Sequence, residues 1–183
     1  MDVLDRAGSE FRRTVAAVPP DAWGNDTPCD ITVREVVNHV VAGNRFAVRL
    51  LAGASAAEAT AGLDGDQLES DPVLAVSTSC ERQRAAFAAP RHPMLHHPSG
   101  EITVQTFLRF RLGELVVHAW DVAVGAGLDP SLDPAVVERL WAMVEPHLEE
   151  MRGMGTFGDG ASGSLPADAP LQTLLLDAFG RRP

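Results

Sequence analysis

The chain has 183 residues, 45% of them hydrophobic, with a mean hydropathy near zero and a formal net charge of −10. Such a length and apolar share suit one compact domain with a sizeable core, and the acidic balance excludes the basic surface through which phosphate backbones are bound. All 15 basic residues are arginine and tyrosine is absent, which removes Schiff-base lysines, P-loop lysines and tyrosine acids from the candidate chemistry.

The first ten residues, MDVLDRAGSE, are acidic and hold no apolar core, so a cytoplasmic chain is expected. No stretch approaches the roughly 20 uncharged apolar residues of a membrane span. Val3, Leu4, Ala7, Phe11, Val15 and Val18 recur at three- and four-residue steps before Pro19-Pro20, which predicts a first helix. Thr32 and Glu35 spell a capping box, and Val33, Val36, Val37, Val40 and Val41 line one face of a second helix over 32–51. His39 lies near that stripe. Residues 53–70 mix Gly, Ala, Ser and acids without a clean period and read as a long loop containing some helix.

A third helix is predicted from Asp71 to Ala88. The stretch PRHPMLHHPSG, residues 90–100, carries Pro90, Pro93 and Pro98 and is expected to be a mobile loop. From Thr103 to Val124 helical spacing returns, closed by Gly125 and Gly127, and a fifth helix is expected from Asp133 to Met151. A glycine-rich stretch and a short apolar tail, LQTLLLDAFG, follow. With no hairpin signal and no repeat, the class is all-α: a four-helix bundle over 1–127 with a helical C-terminal extension over 128–183.

Several motifs dissolve on context. Gly153, Gly155 and Gly158 match the letters of a dinucleotide fingerprint, but they follow a helix rather than a strand. Asn25-Asp26-Thr27 spells a glycosylation sequon that means nothing without secretion. His92, His96 and His97 read as a loop, or a lid over a nearby site, rather than a metal site, because the prolines deny them helical presentation. Of two cysteines, with no C-x-x-C spacing, Cys29 precedes the Thr32 cap and is either a reactive thiol or a buried anchor.

Glu114 and His118 stand four residues apart in an apolar helix, and therefore stack one turn apart on one face. Two polar groups so placed need a shared partner. A hydrogen-bonded pair with a core histidine is one answer. The other is a metal site in which His39, from a facing helix, supplies a third donor: bundles project such groups inward, and two histidines with a glutamate form a recognised zinc set that leaves one position open. Spacing alone leaves both standing.

The segments T27-PCDITVREVVNHVVAG-N44, G113-ELVVHAW-D121 and D177-AFGRR-P183 together resemble the DinB-like, mycothiol-dependent maleylpyruvate isomerase N-terminal superfamily, and more narrowly its actinobacterial metal-binding branch. Ile31 stands where that pattern commonly has a tryptophan after the TPC stretch. The resemblance implies a four-helix bundle holding a divalent metal, usually zinc, and its ligands map onto His39, Glu114 and His118. It implies a metal-dependent transferase or isomerase using a small thiol, mycothiol, against an electrophile. A non-catalytic metal-binding or stress-response module is the alternative. Asp121, one turn beyond His118, is either the group that orients that imidazole or a carboxylate on the helix surface, and Arg45 and Arg49 either receive an anionic substrate or belong to a solvated charged face. The expected partners are the small thiol and electrophile, with no nucleic acid and no membrane, in a chain that could pair as a homodimer.

Overall fold

The computed structural model describes residues 3–149, 160–166 and 168–183. Four long helices, α1 (Val3–Ala17), α2 (Val33–Leu51), α4 (Pro72–Ala88) and α5 (Val104–Gly125), form the bundle. Each packs against two others, in the cyclic order α1, α4, α2, α5. A one-turn helix α3 (Ala56–Thr60) lies between α2 and α4, and α6 (Pro134–Val144) and α7 (Leu171–Ala178) follow the bundle.

Local chemistry places the helix starts. Thr32 Oγ1 accepts from the Glu35 amide while Glu35 Oε2 accepts from the Thr32 amide at 2.8 Å, completing the capping box. The same device, Ser55 with Glu58, starts α3 inside the segment expected as loop with some helix. Asp71 caps α4 with Pro72 in its first turn, and Thr103 caps α5.

The core joins Phe11 and Val15 of α1, Val36, Val37 and Val40 of α2, and Leu112, Leu115 and Val116 of α5. It continues without a break into Val136 and Leu140 of α6 and Leu175, Leu176 and Phe179 at the C-terminal end. The C-terminal extension thus closes over α5, and nearly every residue from Leu112 to Ala123 is buried. A helix enclosed on all sides is apolar all round, which is why its few polar residues stand out. No described helix is long and apolar enough to cross a membrane.

Two expectations are corrected. Residues 90–100, read as loop, supply most of an antiparallel hairpin, β1 (Met94–His97) and β2 (Gly100–Thr103), with Leu95 opposite Ile102 and His97 opposite Gly100. The prolines are compatible because Pro93 precedes the first strand and Pro98 sits in the turn, so none has to donate to the ladder. The short alternation, with Leu95 inward and Met94 and His96 outward, was too brief to register as a strand period. The fifth predicted helix, drawn to Met151, is interrupted after Val144 by a 3₁₀ turn, Glu145–His147, where Pro146 has no amide to donate, and helical backbone returns at Leu148 and Glu149. Met151 and the Gly153–Gly158 motif lie outside the described residues.

Candidate metal centre

α2 and α5 lie side by side, and the 3.6-residue period turns His39 of α2 toward Glu114 and His118 of α5. His39 Nε2 is 2.7 Å from Glu114 Oε2, His118 Nε2 is 3.5 Å from the same oxygen, and the two imidazoles meet edge to face with centroids 5.2 Å apart. One ligand atom from each of the three lies within 4.8 Å of the others. Two imidazole nitrogens and a carboxylate oxygen so gathered match the donor set of an open zinc site. His39 is about half exposed, whereas His118 is 9% exposed, so the cluster opens on the α2 side.

His118 is held from behind. Its Nδ1 is 2.8 Å from Asp121 Oδ2, and Asp121 is fully buried. Arg181, from the C-terminal tail, grips both oxygens of that carboxylate, Nε to Oδ1 at 2.9 Å and Nη2 to Oδ2 at 2.7 Å. A planar guanidinium fits a carboxylate in this bidentate way and fixes its plane. The tail reaches α5 because position 113 is glycine: a Cβ there would lie 2.5 Å from Phe179 Cε1.

Beneath Glu114 runs a second buried guanidinium. Arg111 donates from Nε to Gln83 Oε1 at 2.9 Å and from Nη2 to Asn44 Oδ1 at 3.0 Å, and its Nη1 stands 3.8 Å from Glu114 Oε2. Gly43 makes room for it, since a Cβ there would fall 2.5 Å from Arg111 Nη1.

Burial alone would raise the Glu114 pKa, but hydrogen bonds with His118 and His39 and the charges of His118 and Arg111 outweigh it and hold the carboxyl well below its ordinary range. Burial would likewise strip His118 of its proton. Its hydrogen bonds with Asp121, Cys29 and Glu114 prevail and lift its pKa well above the usual value. Asp121 is also lowered despite burial, through His118 and Arg181. A divalent ion would compete with a proton for the Nε2 of that ring.

In front of the triad lies a pocket of about 210 Å³ with His39, Arg111 and Glu114 at one end and aromatic walls of Phe46, Phe107 and Phe110. The hairpin covers it. The His97 ring packs on Phe46, Phe107 and Phe110 with centroids 5.7–5.9 Å apart, so one of the three loop histidines belongs to the pocket wall. His96 points outward beside Glu101 at 3.5 Å.

Arg45 and Arg49 lie elsewhere. They line a groove between α2 and α4 that shares no lining residue with the triad pocket. Cys29 is half-buried, 3.2 Å from Thr27 Oγ1, and joins His118 and Asp121 in a second group of ligand atoms within 4.8 Å of one another. Sequence reading passed over Arg111, Arg181 and the phenylalanine walls. For Arg111 the signal available was its place three residues before Glu114 in an apolar helix.

The family described as mycothiol maleylpyruvate isomerase N-terminal domain matches residues 4–123. Two proteins of Mycobacterium tuberculosis, from strains CDC 1551 / Oshkosh and H37Rv and both named uncharacterized, are each 34% identical over 181 residues, covering 96% of this chain and 94% of theirs. No solved structure matches it.

Proposed function

From the premise that the chain belongs to the mycothiol maleylpyruvate isomerase N-terminal domain family, which is DinB-like, we propose that His39, Glu114 and His118 bind one divalent metal ion, zinc foremost. We further infer a transferase or isomerase that joins a small thiol of the mycothiol class to a small electrophile. The observation that carries this reading is the convergence of three metal-competent donors from two facing helices at the end of an aromatic pocket. A divalent ion there would supply Lewis acidity, lowering the pKa of a thiol brought to its open side.

The chain's own residues take distinct parts. Asp121 keeps the Nδ1 proton of His118, which leaves Nε2 as the donor facing Glu114, and Arg181 fixes Asp121. Arg111 balances the carboxylate of Glu114 from below. Phe46, Phe107, Phe110 and the His97 ring exclude water from the reacting groups and seat the apolar part of the electrophile. Cys29 groups with His118 and Asp121 and not with His39 and Glu114, so among the described residues no fourth donor closes the triad. That favours an open site over a purely structural one.

The test is the metal content of the wild type and of the His39→Ala, Glu114→Ala and His118→Ala variants after dialysis, paired with thiol consumption in the presence of mycothiol and an electrophile. Stoichiometric metal in the wild type alone, with thiol consumption lost in each variant, is expected. Equal metal retention by all four proteins would overturn the assignment.

A further inference from the structure

The groove between α2 and α4 measures about 320 Å³ and presents Asn44, Arg45, Arg49, Thr78, Ser79 and Arg82, with no acidic residue in its lining. In a chain of net charge −10, three of the 15 arginines converge there. Among the described residues, none of the three makes an ion pair. Glu69 and Asp71 line an adjoining recess beside Arg45 and Arg82, but the Asp71 carboxylate is engaged in capping α4, accepting from the Leu74 amide at 2.9 Å.

Two of these arginines are held by neutral acceptors. Arg45 Nη1 donates to Gln67 Oε1 at 2.7 Å, and Arg49 Nη1 donates to the carbonyl oxygens of Ala59 and Ala61 at 3.2 and 2.6 Å. Each guanidinium has five N–H donors, so these bonds orient the group and leave donors toward the groove. Arg45 and Arg49 stand one turn apart on α2 and face Thr78 and Arg82, one turn apart on α4. Like charges at such spacing repel, and among the described residues no ion pair offsets them. Asn44 and Ser79 form a buried polar floor, bonded to each other at 3.1 Å.

We propose that this groove is a second ligand site, separate from the triad, which binds a small-molecule oxyanion, a carboxylate or a phosphate, between Arg45 and Arg49 of α2 and Arg82 and Thr78 of α4. Guanidinium forks on opposite walls match the oxygens of either group in a bidentate manner.

The test titrates the full-length protein with inorganic pyrophosphate and with succinate at constant ionic strength, by calorimetry and by NMR of the arginine Nε–H groups. Saturable binding of at least one probe is expected, and the preferred probe tells phosphate from carboxylate recognition. Arg45→Gln/Arg82→Gln should weaken it at least tenfold, and the single Arg82→Gln, at an exposed position, should weaken it measurably. His118→Ala should bind the anion as the wild type does, so failure of the metal assignment leaves this result intact. No saturable binding of either probe, or unchanged affinity in the arginine variants, would overturn the site.

Discussion

On one face of α2, His39, Gly43 and Phe46 look toward α5 and the hairpin; on the next, Asn44, Arg45 and Arg49 look toward α4. The first face gathers lone pairs and a carboxylate and suits a cation, while the second gathers guanidiniums without a carboxylate and suits an anion. Residues adjacent in sequence present opposite donor sets because each step along a helix turns about 100°. The faces touch through one bond, Arg111 Nη2 to Asn44 Oδ1, which ties the floor of the groove to the carboxylate of the triad.

Cutting that tie should have the largest effect. Arg111→Met leaves Glu114, Asn44 Oδ1 and Gln83 Oε1 without their buried cation, and removing one partner of such a network costs about 3 kcal/mol. Urea unfolding should show that loss, together with weaker metal retention. Wild-type stability in this variant would mean that the two faces do not depend on a common support.

The faces can also be separated from the far side of His118. Arg181→Ala should lower metal affinity about 10- to 100-fold, the usual cost of losing an outer partner of a metal-ligating histidine, and leave anion binding in the groove unchanged. Arg181→Lys should recover part of the affinity, since an ammonium restores charge but not the two-pronged grip on Asp121. Competition with a metallochromic chelator reads both. If Arg181→Ala binds metal as tightly as the wild type, the tail serves packing alone.

What the sequence disclosed here and what it hid follow the range of the interactions. The Thr32–Glu35 capping box, the valine stripe of α2 and the four-residue spacing of Glu114 and His118 are local, and each could be read from adjacent letters. That His39 meets the pair depends on how α2 and α5 pack, which spacing left open and the fold supplies. The grip of Arg181 on Asp121 spans 60 positions and depends on Gly113 admitting Phe179, so no local pattern announces it. Arg45 and Arg49 were candidates to receive an anionic substrate at the metal. The helical turn carries them past the triad to the other face. The hairpin was hidden because its prolines argued only against a helix, and four-residue strands carry too few alternations to argue for anything else.

The smallest effect expected concerns His97, the histidine that the hairpin delivers to the cation-seeking face. Burial among Phe46, Phe107 and Phe110, with the charge of Arg111 nearby as a lesser contribution, holds its pKa below the ordinary value of 6.5. The folded chain therefore favours the neutral ring, while the unfolded chain takes up a proton as pH falls through 6.5. By linkage, the contribution of His97 to stability is present above that pH and is lost as pH falls below it toward the folded-state pKa. His97→Phe keeps an aromatic ring against the three phenylalanines and removes the titration. Stability measured by urea unfolding between pH 7.5 and pH 5 should therefore decline less steeply in the variant, with the wild-type-minus-variant difference falling as the solution is acidified. The Ser99 amide loses its acceptor, His97 Nδ1 at 3.1 Å, but that turn is exposed and water replaces the bond at every pH. The loss shifts the whole curve without tilting it. A difference curve that stays flat, or that rises toward pH 5, would mean that His97 is not buried as a neutral ring and that the hairpin does not close over the triad pocket in solution.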